Sequence, residues 1–147
     1  MSPAAEKRAL QIVMAAVLVL PLTAAIAGLV RGPAFLGHPP VVPVDLDSHF
    51  RYLSGIFLAM LAGYASCLPA IERKGARLSL LVALTVAGGL GRLASLLTVG
   101  APSTGHLIGL GIELGIAPAM LLWQRRVAAR CYRRTPSIPG PASATGR

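Results

Sequence analysis

Of the 147 residues, 54% are hydrophobic and only 13% are charged, and the mean hydropathy is +0.68. A soluble domain has about 25% charged residues, so this composition excludes an ordinary soluble enzyme. Fourteen Lys and Arg against five Asp and Glu give a net charge of +9. That charge would suggest a nucleic-acid partner if the basic residues shared a polar face, but they lie between apolar runs.

Four segments have the roughly 20 apolar residues that a helix needs to cross a bilayer. They predict an all-α fold, an integral membrane antiparallel four-helix bundle over residues 9–128. Two of the segments have no charged residue, and the other two contain one each, Arg92 and Glu113. In chain order, the predicted helices are Ala9–Val30, Tyr52–Ile71, Leu78–Val99 and Leu107–Gln124.

Lys7 and Arg8 precede the first segment, and Ala25-Ile26-Ala27 resembles a cleavage site, so this segment could be a signal peptide. Its apolar run continues to Val30, however, which favours a retained helix. Four prolines predict an extended outer loop over residues 31–49. The segment from Thr135 onwards is rich in Pro, Gly and small polar residues, and we predict that it is disordered.

Basic residues are distributed unevenly between the two sides of the predicted bundle. Of the fourteen Lys and Arg, all but Arg31, Arg51 and Arg92 lie on the side that contains both termini. Because short cytoplasmic loops hold the positive charge of membrane proteins, we predict that residues 1–8 and the basic tail 129–147 lie in the cytoplasm. Topology then explains the charge without nucleic acid, and the tail can contact anionic membrane lipids.

Small residues recur at every fourth position in three of the predicted helices. Helices in lipid associate where small residues let their backbones approach closely. These stripes therefore predict contacts within the bundle, and the same faces could serve a homo-oligomer. The stripes are Gly55, Ala59 and Gly63; Ala87, Gly91 and Ser95; and Gly111, Gly115 and Ala119.

Arg92 and Glu113 are predicted to lie at the same depth, about 10 Å from the outer ends of their helices. Each would cost about 2.5 to 3.5 kcal/mol near the bilayer centre if it were unpaired. We therefore expect an ion pair between the third and fourth helices. Whether this pair only fixes the helix register, or serves a ligand, anion or proton site, stays open.

Further polar residues are expected near the same outer side. His106 shares a helix face with Glu113, and Asp47 can cap the second helix and pair with Arg51. We predict a polar pocket there, with candidate ligand-binding residues Asp47, His49, Arg51, Tyr52, Arg92, His106 and Glu113.

The other reactive side chains match no known pattern of a metal or catalytic site. His38, His49 and His106 have no metal-ligand spacing, even with Asp45 and Asp47 nearby. Two cysteines, Cys67 and Cys131, form no Cys-x-x-Cys pair, and no Ser, His and Asp set has a nucleophile elbow. We therefore predict no metal, no cofactor and no catalytic residue.

Several short motifs carry a resemblance. They are Asp47-Ser-His-Phe-Arg51-Tyr52-Leu-Ser-Gly55, Leu68-Pro69-Ala-Ile71-Glu72-Arg73, Gly88-Gly89-Leu90-Gly91-Arg92-Leu93 and Leu122-Trp123-Gln124-Arg125. With these motifs, residues 9–128 resemble a bacterial four-helix membrane family, the domain of unknown function 4345, and more distantly the DoxX-like membrane proteins. The resemblance implies an integral membrane protein without an established activity. Asp47, Arg51, Arg92 and Glu113 match the polar positions of the family pattern, which assigns them no role.

From these observations we predict a multi-pass protein of the bacterial inner membrane. A non-enzymatic binding or accessory role is favoured, with a lipid or a quinone as ligand. A small transporter is an alternative, but short four-helix exporters hold a lone carboxylate in the first helix, whereas Glu113 is in the fourth helix beside an arginine. The third alternative is a membrane enzyme acting on a lipid or quinone, hinted at only by Glu72-Arg73 in a loop.

Overall fold

The computed structural model describes residues 2–37 and 41–133, and within these ranges every regular element is a helix. Short 3₁₀ helices cover Gly32–Leu36 and Leu68–Arg73, and a π-helical turn, Ile112–Ile116, joins the last two α-helices. The α-helices are α1 (Pro3–Arg31), α2 (Val44–Ala65), α3 (Gly75–Thr98), α4 (Thr104–Gly111) and α5 (Ala117–Tyr132). The tail from Thr135, which we predicted to be disordered, lies outside the described residues.

Three of the described helical segments are long and apolar enough to cross a membrane: Pro3–Leu36, Gly75–Thr98 and Thr104–Tyr132. Large apolar side chains lie on the protein surface, with Leu97 77% and Val99 84% exposed. Extensive apolar surface of this kind is typical of a protein that contacts lipid. The all-α prediction is confirmed for the described residues, whereas the four-helix membrane bundle is not, because they form five α-helices and three candidate spans.

The start of α2 differs from the prediction. This helix begins at Val44, directly after Pro43, and not at Tyr52. Its first turns contain Asp47 and Arg51, whose side chains form an i,i+4 ion pair that stabilises helix where the apolar pattern has not yet begun. These polar turns also explain why α2 is not among the three apolar spans. The prediction of an extended loop over residues 31–49 is therefore wrong at both ends of this segment, which are helical.

The end of α2 also differs from the prediction, since the helix stops at Ala65 and not at Ile71. In a continuing α-helix, residue 69 would donate a hydrogen bond to the carbonyl of Ala65, and Pro69 has no N–H to donate. The chain therefore turns into the 3₁₀ helix Leu68–Arg73, which has a non-helical backbone at Ala70.

Contacts between neighbouring helices show how the chain folds back on itself. Gly28 of α1 lies against Phe50 and Ser54 of α2. Farther along, the Tyr64 hydroxyl of α2 lies 2.9 Å from Thr85 Oγ1 of α3. The start of α1 and the end of α5 meet as well, because Glu6 accepts a hydrogen bond of 2.6 Å from Arg130. We call this end of the molecule the terminal end, and the opposite end, with Gly32–Leu36 and Ser103, the loop end.

The most deeply buried side chains lie toward the terminal end. They belong to α1, α3, α5 and the segment that follows α2, and include Leu10, Cys67, Ile71, Leu78 and Val127. Two glutamine side chains bind backbone carbonyls of the 3₁₀ helix after α2, Gln11 at Leu68 and Gln124 at Ile71. The regular α-helical hydrogen bonds are interrupted in this segment, and the Ile71 carbonyl has only a long backbone bond of 3.4 Å from Lys74 N–H. The two amides therefore supply hydrogen bonds that carbonyls in a buried region need.

Most of the small-residue stripes face outward, contrary to the predicted packing within the bundle. Ala87, Gly91 and Ser95 are exposed, and so are Gly111, Gly115 and Ala119. The close contact between α3 and the π-helical turn uses Gly89 instead, which lies on another face of α3. Four-residue spacing identifies a helix face but not the direction in which that face points. Of the two glycines in the stripe of α2, Gly63 lies close to Leu81 of α3, whereas a Cβ at Gly55 would meet nothing within 4 Å.

A pair of glycine substitutions tests this packing. A Cβ at Gly89 would lie 2.7 Å from Leu114 Cδ2 and 2.9 Å from Glu113 Cβ, whereas a Cβ at Gly91 would meet nothing within 4 Å. We expect Gly89→Ala to lower the free energy of unfolding by about 1 to 3 kcal/mol through overpacking. Gly91→Ala is the matched control and should be neutral or stabilise α3 by up to about 1 kcal/mol. Denaturant unfolding in detergent measures both, and equal effects would contradict the observed packing.

Candidate functional site

An ion pair joins α3 to the π-helical turn. Arg92 donates two hydrogen bonds to the Glu113 carboxylate, from Nε to Oε2 at 3.0 Å and from Nη2 to Oε1 at 3.1 Å. The Glu113 side chain is 14% exposed and that of Arg92 is 33% exposed. The pair expected from equal depth is therefore confirmed. Its two parallel bonds fix the orientation of both side chains as well as their distance.

The π-helical turn that carries Glu113 has a local cause in the sequence. The N–H of Ala117 donates to the carbonyl of Ile112, five residues back, where an α-helix would use the residue four back. In an α-helix, Pro118 would have to donate to the carbonyl of Leu114, but proline has no N–H. The helix therefore widens just before the proline. Such turns are frequent at functional sites because they change the direction of a side chain.

The ion pair lies in the wall of a cavity of about 390 Å³ between α1, α2, α3 and the α4–α5 segment. This volume lies within the range of small-molecule sites. Pro21 of α1 and Gly109 of α4 also line it, and at the loop end it reaches Phe35 and Leu36. Deeper inside, its lining is mainly apolar and includes Met14, Val17, Leu61, Leu78, Val82 and Met120.

Four further polar side chains line the same cavity. His106 is near its loop end, where Nδ1 lies 3.0 Å from the hydroxyl of Ser103. Tyr64 and Thr85 lie deeper and hydrogen bond to each other. The list of predicted site residues did not include Tyr64, Thr85 or Ser103. For Thr85 a signal existed, because it precedes Arg92 by seven residues and shares its helix face.

The other four predicted site residues lie outside the cavity. Arg51 binds Asp47 and also donates from Nη1 to the carbonyls of Leu29 and Val30, which are among the last carbonyls of α1. A cation at a helix C-terminus satisfies free carbonyls and interacts favourably with the helix dipole. His49 and Tyr52 are exposed. The structure therefore brings Arg92, His106 and Glu113 together, whereas Asp47 and Arg51 connect α1 to α2.

Among the described residues, no group of three or more His, Cys, Asp or Glu could hold a metal ion. His38, one of the three histidines considered for such a site, lies outside the described residues. Glu72 is at the terminal end, with Oε2 2.8 Å from Lys7 Nζ. Burial acts to raise the pKa of Glu72, but the contact with Lys7, a backbone hydrogen bond and the charge of Arg73 together outweigh it and leave this pKa below its usual value.

The energetic role of the ion pair can be measured by a double-mutant cycle. Arg92→Ala or Glu113→Ala alone leaves a charge without its partner, so we expect each to lower the free energy of unfolding by about 2 to 3 kcal/mol. The double variant should lose at least about 1 kcal/mol less than the sum. Additive effects within error would show that the pair does not stabilise the fold. Asp47→Ala and Arg51→Ala, at a more exposed pair, give a reference cycle with a coupling below about 1 kcal/mol.

Comparisons with known proteins identify the family. The family described as domain of unknown function (DUF4345) matches residues 9–124, which include α3 and the π-helical turn, the two elements that carry the ion pair. No curated protein and no solved structure matches the chain. Kinship with the DoxX-like proteins is not confirmed by these comparisons. Since the match covers most of the sequence, the chain belongs to the DUF4345 family.

Proposed function

We propose that this chain is a multi-pass membrane protein that binds a small amphipathic molecule, such as a lipid or a quinone, between its helices. One observation carries the proposal: a cavity of about 390 Å³ whose deep wall is mainly apolar and whose wall nearer the loop end contains Arg92, Glu113 and His106. Ligand sites in proteins combine a mostly apolar lining with a few polar groups that orient the ligand. The apolar part of the ligand would then lie toward Leu78 and Met120, with its polar head beside Arg92.

The course of α2 supports an antiparallel bundle of four spans, namely α1, α2, α3 and the α4–α5 segment. Arg51 contacts the end of α1, whereas Gln11, near the start of α1, binds Leu68 just after α2. A helix of 22 residues is about 33 Å long, so α2 returns along most of α1. If α1 crosses a bilayer, α2 therefore crosses it too, although its first turns are polar.

The charges of the terminal end support a cytoplasmic position for both termini. Arg8, Arg73, Arg77, Arg125 and Arg133 are all exposed there. The acidic groups at this end, Glu6 and Glu72, are both paired with basic side chains. Short cytoplasmic segments of membrane proteins carry such an excess of Lys and Arg.

The binding role is favoured over the two other functions that the sequence left open. The Glu113 carboxylate forms an ion pair with Arg92. A carboxylate that is neutralised in this way is a poor proton carrier for cation export. Glu72, the hint of an enzyme, is held by Lys7 at the opposite end from His106 and Ser103. Neither feature supports a transporter or an enzyme.

Filling the cavity tests the binding function. Ala117 lines the cavity, whereas Ala119, two residues farther along α5, is exposed outside it. We expect native mass spectrometry of the detergent-purified protein to show a co-purified small molecule that Ala117→Leu loses and the matched control Ala119→Leu retains. Ala24→Leu fills the cavity from α1 and should also lose the molecule, which guards against a folding defect in one variant.

Identical adducts in the cavity-filling variants and in the control, with all variants folded by circular dichroism, would contradict binding in this cavity. A wild-type protein that carries no small molecule after mild extraction would contradict it as well.

Reporter fusions test the four spans. Fusions after Pro40, Gly75, Ser103 and Thr135 should report outside, inside, outside and inside, because α2 returns the chain to the side on which α1 begins. An outside result after Thr135 would exclude the proposed arrangement, and an outside result after Gly75 would show that α2 does not cross the membrane.

A further inference from the structure

We infer that the cavity selects uncharged amphiphiles whose head carries a hydrogen-bond acceptor, such as an ester or a quinone carbonyl, and discriminates against ionised acids. This inference rests on the proposed binding function and names the ligand class of the same cavity. Two observations support it: the charges of Arg92 and Glu113 cancel, and Arg92 keeps hydrogen-bond donors that Glu113 does not use.

The formal charges of the wall cancel. Arg92 and Glu113 are the charged residues among those that line the cavity, and they bind each other through two hydrogen bonds. A ligand carboxylate could take the place of Glu113 on Arg92, but this would leave the largely buried Glu113 carboxylate without its partner. It could also join as a second anion beside one guanidinium, where two like charges repel each other. Both arrangements are costly in a site with an apolar lining.

A neutral acceptor has neither cost. A guanidinium has five N–H donors, of which Glu113 accepts two. Within residues 2–37 and 41–133, no protein group accepts a hydrogen bond from Arg92 Nη1. A carbonyl oxygen beside Nη1 would therefore gain a charge-assisted hydrogen bond while the ion pair stays intact.

The deeper hydroxyls offer no competing donor. Thr85 has one hydroxyl proton, which it donates to the carbonyl of Leu81 at 3.0 Å. Tyr64 must then donate its own proton to Thr85 Oγ1. Both protons are thus used within the protein. The polar head of the ligand is therefore directed to the part of the wall nearer the loop end, where Arg92 lies, and the deeper part is left for its chain.

The cavity volume sets the size of the probe. At about 30 Å³ for each water-sized group, 390 Å³ holds about 13 non-hydrogen atoms. Methyl decanoate has about that number of atoms, and decanoate differs from it by one methyl group and one charge. At about pH 8 the acid is ionised, because carboxyl groups titrate near pH 4. The two probes therefore compare charge at nearly constant shape.

We expect the wild-type protein, after removal of any co-purified molecule, to bind methyl decanoate at least about tenfold more tightly than decanoate in a competition read by native mass spectrometry. Glu113→Gln removes the anion and leaves the Arg92 charge unbalanced, so the ester-to-acid ratio should shift toward decanoate by at least about tenfold. Comparing ratios between variants cancels the different partitioning of the probes into detergent. Glu72→Gln, which removes a paired carboxylate at the terminal end, is the matched control and should keep the wild-type ratio.

The double variant Arg92→Gln/Glu113→Gln has no charge in the wall and should return the preference to the ester, which separates charge from a folding effect of Glu113→Gln. An equal or greater affinity of the wild type for decanoate, or an unchanged ratio in Glu113→Gln, would overturn the inference while leaving the cavity as a binding site. Binding of neither probe would also overturn it, and the proposed function would then be decided by the cavity-filling variants alone.

Discussion

The ion pair between Arg92 and Glu113 is the interaction on which the central part of the molecule depends. Two opposite charges within apolar helices are stable there only when they neutralise each other, so α3 and the following helical segment must pack with these two residues side by side. That register places Gly89 against Glu113 and Leu114, where the absence of a side chain lets the helices approach closely. The same register leaves a cavity beside the pair that the surrounding apolar side chains do not fill.

Polar contacts at the two ends of the molecule complement this central pair. At the loop end, Arg51 satisfies the last carbonyls of α1, and at the terminal end, Arg130 binds Glu6. Gln124 connects α5 to the 3₁₀ helix after α2. Helices in lipid gain little from the hydrophobic effect when they associate, so such contacts contribute much of the specificity of packing. Together they hold the four sides of the cavity at a defined spacing.

The sequence predicted those features that depend on spacing along a single helix or on charge in an apolar span. Equal depth was enough to predict the pairing of Arg92 with Glu113, because an unpaired charge is costly there. Hydropathy could not locate the start of α2, where an ion pair between Asp47 and Arg51 supports helix formation without an apolar pattern. It also could not separate the α1–α2 junction from the cavity, since both lie toward the outer end of the predicted bundle. Tyr64 carries no local signal, as its role depends on Thr85 in another helix.

The π-helical turn at Ile112–Ile116 lets the two halves of one continuous helix face their neighbours at independent angles. Before the turn, the residues His106 and Gly109 face the cavity, and after it Gln124 faces its buried carbonyl partner. An unbroken α-helix would rotate one of these halves by about 100° relative to the other, the angle that one residue subtends. The inserted residue thus allows the contacts of α4 with the cavity and the contacts of α5 with the rest of the protein to change independently. The shape of the cavity can therefore change before the turn without realigning the contacts that hold the chain ends together.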